Sequence, residues 1–187
     1  MHAHPGFSAA AAGAIQAADY RRLLERIYGF HQPFELAALE SPACSALDLD
    51  LKERVRSSAL LIDLKFLGLS SDAIARLPKW VPQISFASVA AVLGALYVLE
   101  GSTLGGVQIA RALRGVVGDE TGDGRRFFLG RGDRQSALWR TFLERLEALS
   151  TDQSQSATAV EAAIITFHNF ETWMAAWKGE LDSVPRL

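Results

Sequence analysis

Apolar residues recur at three- and four-residue spacing along most of this chain, and no segment keeps the two-residue alternation of a half-buried strand. From about Asp19, a residue suited to an N-cap, Leu23, Leu24, Ile27, Tyr28 and His31 fall on one face, and Pro33 kinks or ends that helix. A second helix is predicted after Asp48, running to Leu67 with Gly68 as its stop. Ser71 and Asp72 open a short helix through Leu77, and Pro78 and Pro82 frame a loop. Ser85 then caps a long helix to about Leu113. Gly115 to Gly132, rich in glycine and charge, reads as an irregular crossing with Phe127 and Phe128 turned inward. Leu138, Trp139, Phe142, Leu143, Leu146 and Leu149 trace one helical stripe. After a polar linker, Ser150 to Ser156, the residues Ile164, Phe167, Phe170, Trp173, Met174 and Trp177 form the apolar side of a last helix. No repeat or second domain is visible, and the expected architecture is a single-domain, all-α helical bundle over residues 1–187.

Composition narrows the partners. With 187 residues and 49% hydrophobic content, the chain can bury one substantial core. Lys and Arg total 19 against 21 Asp and Glu, with no dense basic run, so nucleic acid is not an expected partner. Cys44 is the single cysteine, which excludes an internal disulfide, a cysteine-built zinc site and a cysteine-bound iron–sulfur cluster. The start Met1-His-Ala-His-Pro5 has no basic region of a signal peptide, and Phe86 to Leu99 is shorter than the ~18–20 residues needed to span a bilayer. A cytoplasmic protein without a membrane segment is expected.

The least ordinary stretch is Leu96-Tyr-Val-Leu-Glu-Gly-Ser-Thr-Leu-Gly-Gly106, where three glycines interrupt a helical pattern. Each costs a helix interior roughly 0.5–1 kcal/mol relative to alanine, so Gly101, Gly105 and Gly106 together forfeit about 2–3 kcal/mol. Gly101 and Gly105 share a face, and the adjacent pair Gly105 and Gly106 lets the helix bend. Either a crossing helix or a flat ligand then approaches the bare main chain.

This string resembles the distal-helix signature of the bacterial heme oxygenases. The segments Tyr20 to Glu35, Asp63-Leu-Lys-Phe-Leu-Gly68, Gly124-Arg-Arg-Phe-Phe-Leu-Gly130, Trp139 with Phe142, and Phe167 to Trp173 follow in the order shown by the bacteriophytochrome-associated branch of that family. The resemblance covers nearly the whole chain. It implies a heme oxygenase-like bundle that opens heme oxidatively to biliverdin, carbon monoxide and ferrous iron. Heme is then both substrate and cofactor, an external ferredoxin or reductase supplies electrons, and a bacteriophytochrome is a possible recipient of the biliverdin. In the family the iron-binding histidine lies on the first helix. By the same register it would fall just upstream of Met1, so the chain is expected to lack part of the proximal helix, or to have discarded the ligand, leaving His2 and His4 as substitutes.

The other two histidines, His31 and His168, sit among apolar neighbours and read as hydrogen-bonded packing residues. Neither has a glutamate three residues before it, so a di-iron bundle is excluded. The resemblance marks Gly101, Ser102, Gly105 and Gly106 as the catalytic segment. Ser102 stands where the mammalian enzymes carry an aspartate, and its hydroxyl either relays protons or bonds back to a helix carbonyl. Tyr97 either lines the pocket or belongs to the core. Arg111 and Arg114, beyond the glycines, either meet heme propionates, whose carboxylates suit a guanidinium fork, or simply face water. Glu35 and Glu100 serve acid–base chemistry or buried hydrogen bonding. The rival reading is a noncatalytic heme- or tetrapyrrole-binding scaffold.

Overall fold

The computed structural model describes residues 4–118 and 122–176 and contains helices, turns and loops, with no strand among the described residues. A short first helix, α1 (Pro5–Ala11), precedes α2 (Ala17–Leu39). Three-residue 3-10 turns lead to α3 (Ser57–Phe66) and α4 (Ser71–Ala75). Next come α5 (Val89–Gly101), α6 (Gly106–Ala112), α7 (Arg114–Val117) and α8 (Arg126–Leu129), and finally α9 (Gln135–Glu147) and α10 (Gln153–Ala175).

The central element is α5, which packs along α10. The two meet at Gly94, where a Cβ would stand 1.9 Å from the Ala159 carbonyl oxygen. So close a crossing selects small residues on the facing side of α10: Ala159, Ala162 and Thr166 are buried there. The larger Ile164 and Phe167, expected on the inner side, are turned outward at 64% and 39% exposure, and His168 is likewise exposed. Phe170 and Met174 are buried as expected, while Trp177 lies outside the described residues. From Val89 to Ala112 the chain is long and apolar enough to cross a bilayer, but the stretch is mostly buried in the bundle and is broken after Gly101.

The second helix runs on to Leu39, through Pro33, instead of stopping there. Proline has no N–H, so the Gly29 carbonyl loses its usual partner four residues on. The Trp80 N–H supplies one instead, at 2.8 Å. Gly29 also admits the passing loop, because a Cβ there would sit 2.4 Å from the Pro78 carbonyl oxygen. This seat brings Trp80 onto Phe30, ring centroids 4.5 Å apart, and Phe86 edge-on to Phe34 at 5.3 Å. Fully buried Phe30, Phe34 and Tyr20 each contribute roughly 1.5–3 kcal/mol of apolar burial.

Two helix starts differ from the sequence expectation by a few residues, and only that of α5 is set by a side-chain cap. Asp19 sits in the first turn of α2, after Gln16. Ser88, not Ser85, caps α5 by accepting from the Ala91 N–H at 3.2 Å. Gly68, with φ of +91°, ends α3 as expected.

Candidate functional site

The long glycine-bearing helix of the sequence is two helices joined by a kink. Between the end of α5 at Gly101 and the start of α6 at Gly106, the chain closes tight turns: Thr103 N–H donates to Glu100 O at 3.0 Å, Leu104 N–H to Gly101 O at 3.2 Å, and Gly106 N–H to Thr103 O at 3.2 Å. Side chains lock this bend. Ser102 Oγ donates to Leu99 O and Thr103 Oγ1 to Glu100 O, both at 2.6 Å, and Gln135 Nε2 donates to Thr103 Oγ1 at 2.6 Å.

Behind the kink lies a buried ionic cluster. The Glu100 carboxylate, at 2% exposure, is paired with Arg54 at 3.1 Å and with Arg131 at 2.9 Å. Arg56 Nη1 donates to Ser102 Oγ at 3.3 Å, and its Nη2 to Phe127 O at 2.8 Å. Burial and the nearby Arg131 pull the Arg56 guanidinium down to about 10, which leaves it charged at neutral pH. Glu35 accepts from the backbone N–H groups of Arg56 at 2.9 Å and Ser57 at 3.1 Å. Burial pushes the Glu35 carboxyl up, but its hydrogen bonds and the adjacent His31 outweigh that and carry it below the usual range. Both Glu35 and Glu100 are therefore structural anchors in this arrangement.

In front of the kink is a slot of about 270 Å³. Phe7 and Ala11 of α1 and Ile27 of α2 face Gly101, Gly105 and Ile109, and Phe127, Phe128 and Phe170 supply aromatic walls. Its polar groups are Ser102, Gln108 and His31. The His31 ring stands edge-on to Phe127 at 5.2 Å, with Nδ1 3.4 Å from Glu35 Oε1. Burial lowers the His31 pKa despite that carboxylate, so the imidazole is neutral at pH 7.

The three glycines do different things. A Cβ on Gly105 would meet no atom within 4 Å, and one on Gly101 only the Trp139 ring at 3.9 Å. A Cβ on Gly106 would stand 2.5 Å from the Phe128 carbonyl oxygen. Gly105 thus leaves open space on the slot it lines, the missing side chain of Gly101 points to Trp139 while its backbone borders the slot, and Gly106 lets α6 touch the backbone of α8.

Other expected residues lie elsewhere. Tyr97 does not reach the slot: it lines a separate apolar cavity of about 450 Å³ with Leu146, Leu149 and Ile164. The reason is Trp139 on α9, whose ring packs 5.9 Å from that of Tyr97 and beside Gly101. Arg111 is exposed on α6, outside the slot lining. His4 caps α1, its Nδ1 accepting from Gly6 N–H at 3.2 Å, and its Nε2 lies 3.3 Å from Met174 O. With both ring nitrogens so engaged, His4 is not placed as an iron ligand, and His2 lies outside the described residues. Sequence reasoning missed Arg56, Asp63 and the slot-facing side of His31, since the partners that give them meaning come from segments far along the chain.

A family model described as heme oxygenase matches residues 5–176. The chain belongs to the heme oxygenase family. It is 34% identical over 164 residues to a heme oxygenase of Xanthomonas campestris pv. campestris, spanning 88% of this chain and 93% of that protein. The crystal structure of the NO- and CO-bound heme oxygenase from Neisseria meningitidis has the same fold, with a TM-score of 0.71 at 22% identity over 91% of this chain and 81% of that one.

Proposed function

We propose that this member of the heme oxygenase family binds heme in the slot between α1 and the α5–α6 kink and opens the macrocycle to biliverdin, carbon monoxide and ferrous iron. The observation that carries this reading is the open space at Gly105, on a glycine-bordered kink that faces a slot walled by Phe7, Phe127, Phe128 and Phe170. Flat aromatic walls suit a planar, largely apolar ligand, and a helix without Cβ atoms leaves room for a small molecule above its plane. Heme supplies the iron at which dioxygen is activated.

The chain's own residues orient and enclose. The slot, about 270 Å³, lies just below the ~300–1,000 Å³ of most ligand pockets, so seating heme requires it to widen. The phenylalanine walls exclude bulk water. Ser102, whose hydroxyl is already donated to Leu99 O, holds the bend, and the side chains of Gln108 and His31 are the groups placed to order water for proton delivery. Arg111, one turn beyond Gln108, is the basic residue this reading gives to a propionate. Ring opening consumes electrons, so the reading includes an external ferredoxin or reductase. Supply of biliverdin to a bacteriophytochrome belongs to it through the resemblance of Tyr20 to Glu35 and Asp63 to Gly68.

The second reading, a noncatalytic tetrapyrrole-binding scaffold, is favoured by the engagement of both His4 ring nitrogens. Hemin titration followed at the Soret band, then reduction under air, separates the two. A saturable one-to-one complex followed by a bilin absorption band is the expected result. Saturable binding without bilin supports the scaffold, and no binding overturns both.

A further inference from the structure

The wall formed by Phe127 and Phe128 depends on a buried carboxylate that none of the chemistry above uses. These residues ride on α8, a four-residue helix with no side-chain cap of its own. Asp63, at mid-α3 and 0% exposed, supplies the missing acceptors from another helix. Its Oδ1 accepts from Arg126 N–H at 3.0 Å and its Oδ2 from Phe127 N–H at 2.9 Å. The same segment is tied at three further points. Tyr20 Oη donates to Gly124 O at 2.6 Å, Arg125 Nη1 to Ala110 O at 2.8 Å, and Arg56 Nη2 to Phe127 O at 2.8 Å.

Among these ties only Asp63 changes charge near neutral pH. Burial pushes its carboxyl up to about 6, although the N–H donors and the Arg126 charge pull the other way. The groups facing it are the Tyr20 phenol from α2 and Arg126 from the α8 segment, and Arg125 acts on the same phenol. Burial and the Asp63 charge push the phenol up, so it stays a neutral donor throughout. On the far side of Phe127 stand His31 and Arg56.

We propose that Asp63 is a positioning residue of the slot: its ionised carboxylate holds Phe127 and Phe128 against the bound tetrapyrrole, and its protonation loosens that wall. A carboxylate accepts at both oxygens. A carboxylic acid carries a hydroxyl on one of them, so the N–H donors at that oxygen, drawn from Gly124, Arg126 and Phe127, lose their acceptor and those at the other lose charge assistance. The substitution Asp63→Asn reproduces the acid form at every pH, because the amide nitrogen it introduces faces an N–H. The inference rests on the slot being the heme site.

Two measurements test it. In the ligand-free protein, the backbone amide protons of Arg126 and Phe127 are followed by NMR between pH 5 and 8. They are expected to titrate together with a midpoint near 6, and in D63N they are expected not to titrate. In the hemin complex, dissociation is timed by capture with apomyoglobin at steps of pH across that range. The parent is expected to release hemin about tenfold faster at the acid end, the equivalent of losing one charge-assisted hydrogen bond, and D63N to release it fast throughout. Static amides, or a D63N that keeps the parental pH profile, overturn the proposal while leaving heme turnover, and so the functional reading, intact. A parent that binds no hemin overturns the functional reading and the positioning role with it. Should D63N fail to fold, the parent decides: one shared midpoint for amides and dissociation supports the role, and separate midpoints overturn it.

Discussion

Substituting Gly105 and Gly106 one at a time separates a glycine that serves the ligand from its neighbour that serves packing. In G106A the new methyl would lie 2.5 Å from the Phe128 carbonyl oxygen and 3.3 Å from its carbon, so α6 and α8 must move apart. Overpacking of this kind costs about 1–3 kcal/mol. Alanine returns up to about 1 kcal/mol of helix propensity, which leaves a net loss of roughly 1–2 kcal/mol. For a domain of this length that is a fall of roughly 2–8 °C in Tm. At Gly105 the backbone has φ of −91° and ψ of −7°, which any residue adopts, and open space surrounds the missing Cβ. G105A is therefore expected to stay within about 0.5 kcal/mol of the parent, since this N-cap position gains little from alanine. G105L should keep that stability while its side chain fills the slot, lowering hemin affinity at least tenfold. Urea unfolding and Soret titration of the three variants read both quantities. A G106A as stable as the parent would refute the packing argument. A G105L that binds hemin like the parent would refute the slot.

Three further outcomes follow from the same geometry. Glu100→Ala leaves Arg54 and Arg131 buried without their carboxylate and should cost about 3–5 kcal/mol in urea unfolding; a loss below about 1 kcal/mol would show that the cluster opens to water. Ser102→Ala should leave bilin formation within a few-fold of the parent, because its hydroxyl is already donated to Leu99 O; a hundredfold fall would place the hydroxyl in proton delivery. His31 has a lowered pKa in the fold, so the unfolded chain takes up its proton first and stability attributable to this residue is lost as pH drops below about 6.5. H31Q should flatten that part of the pH–stability curve, and an unchanged slope would show the imidazole charged in the folded protein.

Fold class and the glycine segment were legible because both are local signals: spacing of apolar residues for the bundle, and costly glycines for the kink. The division of labour among Gly101, Gly105 and Gly106 was not. It is set by Phe128, which arrives from a separate segment, and spacing within a helix carries no information about what crosses it. The choice left open for Tyr97, pocket or core, could not be made from spacing either, since it is Trp139 from α9 that packs against its ring. The outward turn of Ile164 and Phe167 reverses the usual reading of hydrophobicity. Close approach at Gly94 makes small size, not apolarity, the criterion for the inner face of α10. Asp63 could have been flagged as a charge inside an apolar helical stretch, but its two N–H partners on α8 are invisible until the chain is folded.

Pro33 and Gly29 form the two halves of a single receptor for the loop that follows α4. Proline withholds a donor and leaves a carbonyl open, and glycine clears the approach to it. Alanine in place of Pro33 would reinstate a competing N–H within the helix itself. Trp80 would then contend for its acceptor with a group that is always at hand. The loop would begin to lift although no side chain touching it had changed, and hydrogen exchange at the Trp80 amide would accelerate. A proline that reads as a flaw in α2 is thus the reason a distant segment stays docked, and P33A, which most scales score as a gain in helix stability, is expected to loosen the protein.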